Sequence, residues 1–348
     1  MSNAVIVKAF AGEAAVAGAW DEFVQQCPEA TFFHRSGWLT INEQVYGHRG
    51  HYLYAEDPQG NLQGVLPLVE QNSRLFGHAL ISTPFCVYGG VAAQSDEAQR
   101  ALEDAAIELA RRLEVDYLEL RNKVASTHPE LTEKCAHSYF AWPLAQDAEA
   151  ILAGVKKKQR AVIRHSLKND LSYRVDDDMH TAYDIYSESV RNLGTPVFPK
   201  SYFSALKRVF GQDCNALTVE KDGKAVSSVL NFYFRDQVLP YYGGGLPEAR
   251  DLKSNDFMYY QLMCDAKAKG YEYYDFGRSK NDSGAFQYKK HWGMEPTPLH
   301  YQFHLVKAAE LPNLSPNNPK YQLFIKLWQK LPLPISRALG PVLSKYLG

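Results

Sequence analysis

The chain contains two related halves, and this duplication constrains its fold more than any other feature. When the 348-residue sequence is shifted by 164 positions, residues of the first half fall on similar residues of the second. The aligned pairs include Trp38 with Tyr202, Val45-Tyr46-Gly47 with Val209-Phe210-Gly211, Leu53 with Leu217 and Val65-Leu66 with Val229-Leu230. Solenoid repeats span only about 20 to 50 residues, so a repeat of this length indicates duplication of a whole domain.

The later parts of the two halves also match when the sequence is shifted by fewer positions. Val87-Tyr88-Gly89-Gly90 pairs with Pro240-Tyr241-Tyr242-Gly243-Gly244, and Tyr117-Leu118-Glu119-Leu120-Arg121 pairs with Tyr274-Asp275-Phe276-Gly277-Arg278. Each half reads as helices, a β-hairpin, a strand, a helix and a strand, which predicts a mixed α/β fold. We expect the strand before the helix of the first half to end at Gly90, and Leu299 to Val306 to form the last strand of the second half.

This organisation predicts three regions: a first domain over 1–150, a second over 151–310 and a tail over 311–348. Domains of this size are large enough to bury their own cores. Duplicated α/β units commonly face each other across a shared cleft, and clefts between domains bind ligands.

Composition excludes several classes of protein. With 45% hydrophobic and 22% charged residues the chain is an ordinary globular one, and its formal charge of −1 gives no general reason to bind nucleic acid. The five cysteines are odd in number and form no C-x-x-C pair, so we expect a reducing compartment and no metal site. The N-terminal residues lack the pattern of a secretory signal, and the expected location is the cytoplasm.

The residues best suited to chemistry cluster late in the second half. No G-x-S-x-G, H-E-x-x-H, P-loop or G-x-G-x-x-G motif is present. Asp275-Phe276-Gly277-Arg278 at a predicted strand end is followed by Tyr288-Lys289-Lys290-His291-Trp292-Gly293. Arg278 suits a carboxylate or phosphate, and Lys289 suits the oxyanion that develops when an amine attacks an acyl carbonyl. The alternative is an internal ion pair between Asp275 and Arg278, with Trp292 in the core.

Taken together, these motifs resemble the second domain of the FemAB-type peptidyltransferases, relatives of the GNAT acyltransferases built from two tandem GNAT-like domains. The similarity extends to FemAB-related proteins of PEP-CTERM/exosortase and exopolysaccharide loci. The residues that carry it are Pro84-Phe85-Cys86-Val87-Tyr88-Gly89-Gly90, Tyr117 to Asn122, Tyr241 to Gly244, Asn255, Asp275 to Arg278, Tyr288-Lys289, Trp292-Gly293 and Leu331-Pro332-Leu333-Pro334.

The resemblance implies roles for individual residues. Lys289 would lie near the reacting carbonyl, with Asp275 and Arg278 beside it as the other catalytic groups. Residues implied to line the substrate cleft are Tyr88, Gly89, Tyr241, Tyr242, Gly243, Asn255, Tyr259 and Trp292.

The resemblance also implies a reaction. It is transfer of an acyl or aminoacyl group to the amine of a cell-envelope, exopolysaccharide or lipid precursor, with no permanently bound cofactor. The resemblance does not decide whether the donor is an aminoacyl-tRNA or an acyl thioester, such as one on an acyl carrier. It does not decide the oligomeric state either. The alternatives are an N-acyltransferase that uses a thioester donor for a lipid or amino-acid acceptor, and a catalytically silent protein that binds a precursor at the membrane surface.

Two further segments of the sequence are basic. Arg160, Arg164 and Lys168 recur at i, i+4 and i+8, which predicts a cationic helix face for a donor phosphate or, alternatively, a solvated linker helix. The tail has no acidic residue after Glu310, and Leu323, Phe324, Leu327, Trp328 and Leu331 form an apolar stripe. We expect residues 321–348 to contact the inner face of the membrane, or else the stripe to pack on the protein itself.

Overall fold

The computed structural model describes residues 5–10, 12–312 and 319–347, which form two compact α/β units. The first unit comprises Met1–Ala136, Pro298–Asn313 and Tyr346–Gly348; the second comprises His137–Thr297 and Leu314–Lys345. Each unit is built around a mixed sheet, so the predicted fold class is confirmed. Residues 313–318 of the predicted tail and its last residue, Gly348, lie outside the described part of the chain.

The first unit has these elements. They are β1 (Ile6–Phe10), α1 (Ala14–Gln26), α2 (Gly37–Tyr46), β2 (Arg49–Glu56), β3 (Leu62–Ser73), β4 (Gly77–Ser82), β5 (Ala92–Ala93), α3 (Asp96–Arg112), β6 (Tyr117–Asn122) and β7 (Thr132–Lys134). A 3-10 turn covers Phe32–His34.

The second unit repeats this order. Its elements are β8 (His137–Pro143), α4 (Ala148–Gly154), α5 (Lys157–Ser166), β9 (Leu171–Asp176), α6 (Met179–Leu193), α7 (Lys200–Phe210), β10 (Cys214–Lys221), β11 (Lys224–Phe234), β12 (Gln237–Gly245), α8 (Ala249–Leu252), α9 (Ser254–Ala268), β13 (Tyr273–Lys280) and α10 (Gly284–Trp292). After it come β14 (Thr297–Pro298), β15 (His300–Leu305), α11 (Pro319–Trp328) and α12 (Leu333–Ser344).

Strand order reveals an exchange that the sequence boundaries do not capture. The first sheet runs β1-β2-β3-β4-β6-β15-β7, and the second runs β9-β10-β11-β12-β13-β8-β14. In the first sheet the sixth strand is β15, which comes late in the chain and pairs Tyr301 with Arg121 of β6. In the second sheet the sixth strand is β8, which precedes the other strands of that sheet in the chain and pairs Tyr139 with Arg278 of β13. The units thus depart from the expected boundaries at 150 and 310. The placement of residues 299–306 in the second half is wrong.

A second difference concerns the strand expected to end at Gly90. In the second unit, β12 continues through the equivalent residues to Gly245. In the first unit, β4 ends at Ser82, and the next residues form an irregular loop. Thr83 has φ of 40° and Phe85 has φ of 68°, values at which a strand cannot continue.

Each sheet is covered by helices that bury one apolar face. In the first unit, Ser95 caps α3 by accepting a hydrogen bond from the Ala98 amide, and the buried side of this helix includes Leu102 and Ile107. In the second unit, α9 places Met258 and Leu262 in the core. Within the described residues, every helix is too short or too polar to cross a bilayer.

Candidate functional site

In the second unit, two neighbouring parallel strands separate and leave an opening in the sheet. The pairing of β12 with β13 covers only Gln237 with Tyr273 and Val238 with Tyr274, although both strands continue beyond these residues. The far ends of the two strands carry residues singled out from the sequence: Tyr241, Tyr242 and Gly243 on β12, and Asp275 and Arg278 on β13. Ligands of α/β sheets commonly bind where neighbouring strands part at their carboxyl ends.

Both strands are bulged beside this opening. Leu230 of β11 faces Tyr242 and Asn231 faces Pro240, so Tyr241 is the extra residue of a bulge in β12. Bulges re-aim residues and are frequent next to active sites. The pairing of β12 with β13 ends at Val238 of β12. The residues of β12 after Val238 therefore do not pair with β13, and their backbone groups flank the opening.

The bulge of β13 is held by side chains of the predicted motif. Its register with β8 shifts between Asp275 and Arg278, and Gly277 has φ of 68°. The buried Asp275 carboxylate accepts a hydrogen bond of 2.8 Å from the Gly277 amide. Asp275 therefore fixes the backbone from which Arg278 projects, and Arg278 itself is half-buried.

Lys289 supports the same bulge from α10. Its Nζ donates hydrogen bonds of 3.1 Å and 2.9 Å to the carbonyl oxygens of Gly277 and Arg278. The Nζ also lies 5.2 Å from the centre of the Phe276 ring. Burial lowers the pKa of Lys289 from 10.5 to about 7, against the opposing effect of Asp275. A lysine so enclosed positions the bulge, and the direct contact with an oxyanion expected from the sequence does not fit this geometry.

Trp292 belongs to the core rather than to a substrate surface. Its side chain is fully buried, and its ring lies 6.2 Å from that of Phe276 and 6.3 Å from that of Tyr288. The expectation that Trp292 lines the cleft is therefore wrong, and the alternative of a core tryptophan is correct.

Tyr242 and Gly243 of β12 pack closely against aromatic residues of α7 and α9, respectively. Tyr242 is buried, and its hydroxyl lies 2.8 Å from that of Tyr202. A Cβ on Gly243 would lie 2.6 Å from the hydroxyl of Tyr259, so the glycine is what lets α9 approach β12. Burial raises the pKa of Tyr259 to about 12.

The N-terminus of α9 faces the end of β12. A Cβ on Gly245 would lie 2.8 Å from Oδ1 of Asn255, which puts Asn255 beside the strand end. This Oδ1 and the hydroxyl of the fully buried Ser254 are buried without a hydrogen-bond partner in the described chain. No side chain caps the helix at Lys253. Amide groups at a helix start can bind an anion, so this end of α9 is suited to a polar ligand group.

The first unit has a pocket of its own, with a volume of about 270 Å³. Its lining includes Tyr88, Gly89, Gly90, Asn122 and Lys123. Lys123 places its Nζ 5.1 Å from the centre of the Tyr88 ring, a cation–π distance. Because the Tyr88 side chain is only 1% exposed, the ring lies beneath the pocket surface and Lys123 is the cation at the pocket.

The loop that lines this pocket is fixed by neighbouring polar groups. Nε2 of the buried His34 lies 3.0 Å from the carbonyl oxygen of Gly90, and its Nδ1 accepts a hydrogen bond from the Thr31 amide. Asn122 Oδ1 accepts a hydrogen bond of 2.9 Å from the Val91 amide. A Cβ on Gly90 would lie 1.7 Å from that oxygen, so a side chain at this position would displace the loop.

Sequence reasoning missed most of this pocket. His34 is an isolated histidine in a short turn, and nothing in its spacing relates it to Gly90. Asn122 belongs to a quoted motif, but its contact with the Gly90-Val91 backbone depends on how β6 and the loop pack. Arg121 is buried with Glu119, at 2.9 Å, and donates to the Cys86 carbonyl oxygen, so it supports the pocket from beneath.

The predicted cationic face of α5 exists only in part. Arg164 and Lys168 are exposed and, together with Arg160 and His165, line an open groove of about 640 Å³. Arg160, however, donates hydrogen bonds to the carbonyl oxygens of Ala153 and Val155 and so caps the end of α4. The helix also ends at Ser166, so Lys168 lies beyond it. Of the three residues predicted to dock a donor phosphate, Arg164 and Lys168 are therefore the two whose side chains are exposed at this groove.

Two groups of potential metal ligands can be assessed. Asp178 caps α6 through the His180 and Thr181 amides, and hydrogen bonds at this cap lower the pKa of Asp178 to about 2. The acidic run Asp176-Asp177-Asp178 thus ends in the residue that caps α6. In the first unit, donor atoms of Glu133, Cys135 and His300 lie within 4.8 Å of one another at an exposed strand pair. These three are mutually hydrogen-bonded.

Comparisons with known proteins agree with this architecture. Residues 153–290 match the family model described as an acetyltransferase (GNAT) domain. The match supports an acyltransferase in general, and it does not distinguish acyl from aminoacyl groups. No curated protein matches the sequence.

Solved structures share the fold across both units. The crystal structure of FemX has a TM-score of 0.68 at 16% identity, covering 89% of this chain and 98% of FemX. The C-terminal domain (DUF2156) of a putative lysylphosphatidylglycerol synthetase from Agrobacterium fabrum has a TM-score of 0.57 at 11% identity, covering 84% and 92%. A tandem GNAT protein from the clavulanic acid biosynthesis pathway has a TM-score of 0.54 at 13% identity, covering 88% and 100%. At such identities the similarity shows the fold, which is that of two tandem GNAT-like domains.

Proposed function

We propose that this chain transfers an acyl or aminoacyl group to the amine of an envelope, exopolysaccharide or lipid precursor, in the manner of the FemAB-related proteins it resembles. The observation that carries the proposal is the separation of β12 and β13 within the GNAT-matching residues, with Tyr241 on one side and Asp275 and Arg278 on the other.

The acyl carbonyl would lie in the opening between β12 and β13. Attack by the acceptor amine forms a tetrahedral intermediate, and its oxygen develops negative charge. Collapse of the intermediate breaks the ester or thioester bond, and the departing alcohol or thiol carries away the proton that the amine loses, which leaves the amide. Backbone amides of β12 beyond Val238 and the guanidinium of Arg278 flank this opening and are proposed to donate hydrogen bonds to the oxyanion. Lys289 and Asp275 contribute by holding the β13 bulge in place.

The pocket of the first unit is the proposed acceptor site. Lys123 offers a cation at this pocket, which suits an anionic group of a precursor. The loop is held by His34 and Asn122, so the site is formed before the ligand binds. Preorganisation of this kind reduces the entropy that binding costs.

The donor is proposed to be an aminoacyl ester or an acyl thioester, and Arg164 and Lys168 are candidates to contact its phosphates. A thioester-dependent N-acyltransferase acting on a lipid acceptor is the second candidate, favoured by the exposed apolar residues of the C-terminal helices. Inner-face membrane and cytoplasmic location, and association with PEP-CTERM or exosortase systems, remain predictions.

The experiment is a donor and acceptor screen with the full-length protein, read by mass spectrometry of the amide product. Separate arms supply charged tRNA, acyl thioesters of increasing chain length, and amine-bearing sugar or lipid precursors. Lys123→Ala should raise the KM for the acceptor with little change in kcat, and Lys224→Ala on an exposed strand end is the control. Retention of a precursor with no product from any donor would favour the silent binding protein.

A further inference from the structure

The last two helices have one face buried against the protein and another exposed. Trp328 of α11 is 4% exposed, and Ile325 packs on Gly194, where a Cβ would lie 2.4 Å from its Cγ2. In α12, a Cβ on Gly340 would lie 2.8 Å from the carbonyl oxygen of Val197. These contacts attach both helices to the second unit. They involve only the face of each helix that packs on the protein.

Polar contacts fix the orientation of α12. Arg337 donates a hydrogen bond of 2.9 Å to the Ser187 hydroxyl and forms a 3.1 Å ion pair with Asp184, both on α6. Arg191 of α6 donates to the carbonyl oxygen of Leu331, just after α11. The outer face is therefore presented by helices whose orientation is set, rather than by a loose tail.

The outer face is strongly apolar. Large hydrophobic residues stand exposed along both helices at helical spacing, and half of all such exposed residues in the described chain belong to this segment. They are Leu323, Phe324 and Leu327 on α11, Ile335, Leu339 and Val342 on α12, and Leu347 after it. Leu323 is 67% exposed and Val342 is 68% exposed. An apolar concentration of this kind marks a binding surface.

The charged side chains of this segment are all of one sign. Residues 311–348 carry Lys320, Lys326, Lys330, Arg337 and Lys345 and no carboxylate. Arg337 is used in its ion pair with Asp184, whereas Lys326 and Lys330 are exposed near Leu327. Exposed apolar residues flanked by lysines are typical of helices that lie in the interface of an anionic membrane.

We propose that the outer faces of α11 and α12 bind the surface of an anionic lipid bilayer. The inserted residues are Leu323, Phe324 and Leu327 of α11 and Leu339 and Val342 of α12, and the lysines contact lipid phosphates. Trp328, placed by the sequence stripe among the inserting residues, instead anchors the helix to the protein. The inference does not depend on the proposed transfer reaction.

The test is flotation of the full-length protein with phosphatidylcholine vesicles that contain or lack phosphatidylglycerol. Point variants are needed because truncation would also remove Trp328 and expose α6. Leu323→Ser/Leu327→Ser should reduce binding to anionic vesicles at least tenfold, and Lys326→Glu/Lys330→Glu should do the same. The matched controls are Leu75→Ser and Lys224→Glu, which alter exposed residues elsewhere and should bind as the wild type does.

Binding should also weaken as salt rises, because the lysine contribution is screened. Circular dichroism of each variant checks that the fold is kept. Three results would overturn the proposal: no flotation of the wild type with anionic vesicles, equal flotation of the leucine variants, or wild-type self-association that the leucine variants abolish while vesicles have no effect. The last result would assign the face to a second copy of the chain.

Discussion

Replacement of Lys289 by methionine should change how the stability of the protein depends on pH. Burial lowers the pKa of Lys289 from 10.5 to about 7 in the folded chain. Between these values the unfolded chain holds a proton that the folded chain has released, so the free energy of unfolding rises with pH. Linkage gives a slope approaching 1.4 kcal/mol per pH unit, and a gain of about 2 kcal/mol between roughly pH 7 and pH 9. Below about pH 7 both states are protonated and the contribution is flat.

Guanidinium unfolding of the wild type and of Lys289→Met, compared at several pH values, measures this gain as a difference. The variant also loses the donor to the Gly277 and Arg278 carbonyl oxygens, so only the pH dependence of the difference is diagnostic. Lys290→Met on the same helix is the matched control variant. A difference between wild type and Lys289→Met that stays constant from pH 7 to pH 9 would refute the enclosed, neutral lysine.

Three further substitutions probe the supports of the fold and of the first-unit pocket. Asp178→Ala removes the cap that accepts from the Thr181 amide and should cost about 1 kcal/mol in thermal unfolding; an unchanged melting temperature would contradict the capping role. Gly90→Ala places a Cβ against Asn122 and should cost about 1–3 kcal/mol while weakening acceptor binding, whereas wild-type behaviour in both would show that the loop is free to shift. Trp328→Ala empties a buried position and should raise hydrogen exchange in α11 by at least tenfold, with exchange in β11 as the internal control; unaltered exchange would mean that the helix is held by other contacts.

The duplication could be predicted from the sequence because the spacing of apolar residues is retained when two copies of a domain diverge. The matched positions Trp38 and Tyr202 lie on equivalent helices, α2 and α7, and Leu53 and Leu217 lie on equivalent strands, β2 and β10. The sheets to which β8 and β15 belong could not be predicted from the sequence. A strand pattern shows that a strand forms, whereas its neighbour is chosen by long-range pairing that local residues do not encode.

The site was predictable in location but not in the roles of its side chains. The motif around Asp275 and Lys289 does lie on a strand and helix beside the opening, as its density of polar residues suggested. Whether Lys289 faces the opening or the carbonyl oxygens of the bulge depends on side-chain direction, which spacing along a chain does not fix. Trp292 shows the same limit, because tryptophan serves equally well in a core and in a ligand site.

The central claim is that acyl transfer occurs at the opening between β12 and β13, and Arg278 tests it most directly. The measurement is the rate of amide formation by Arg278→Met with the donor and acceptor that the screen identifies, compared with the wild type and with Lys290→Met. Loss of one group that stabilises the oxyanion predicts a fall in kcat on the order of 10²-fold, with the fold and acceptor binding retained. An Arg278→Met protein that forms the amide at the wild-type rate would place the reaction elsewhere.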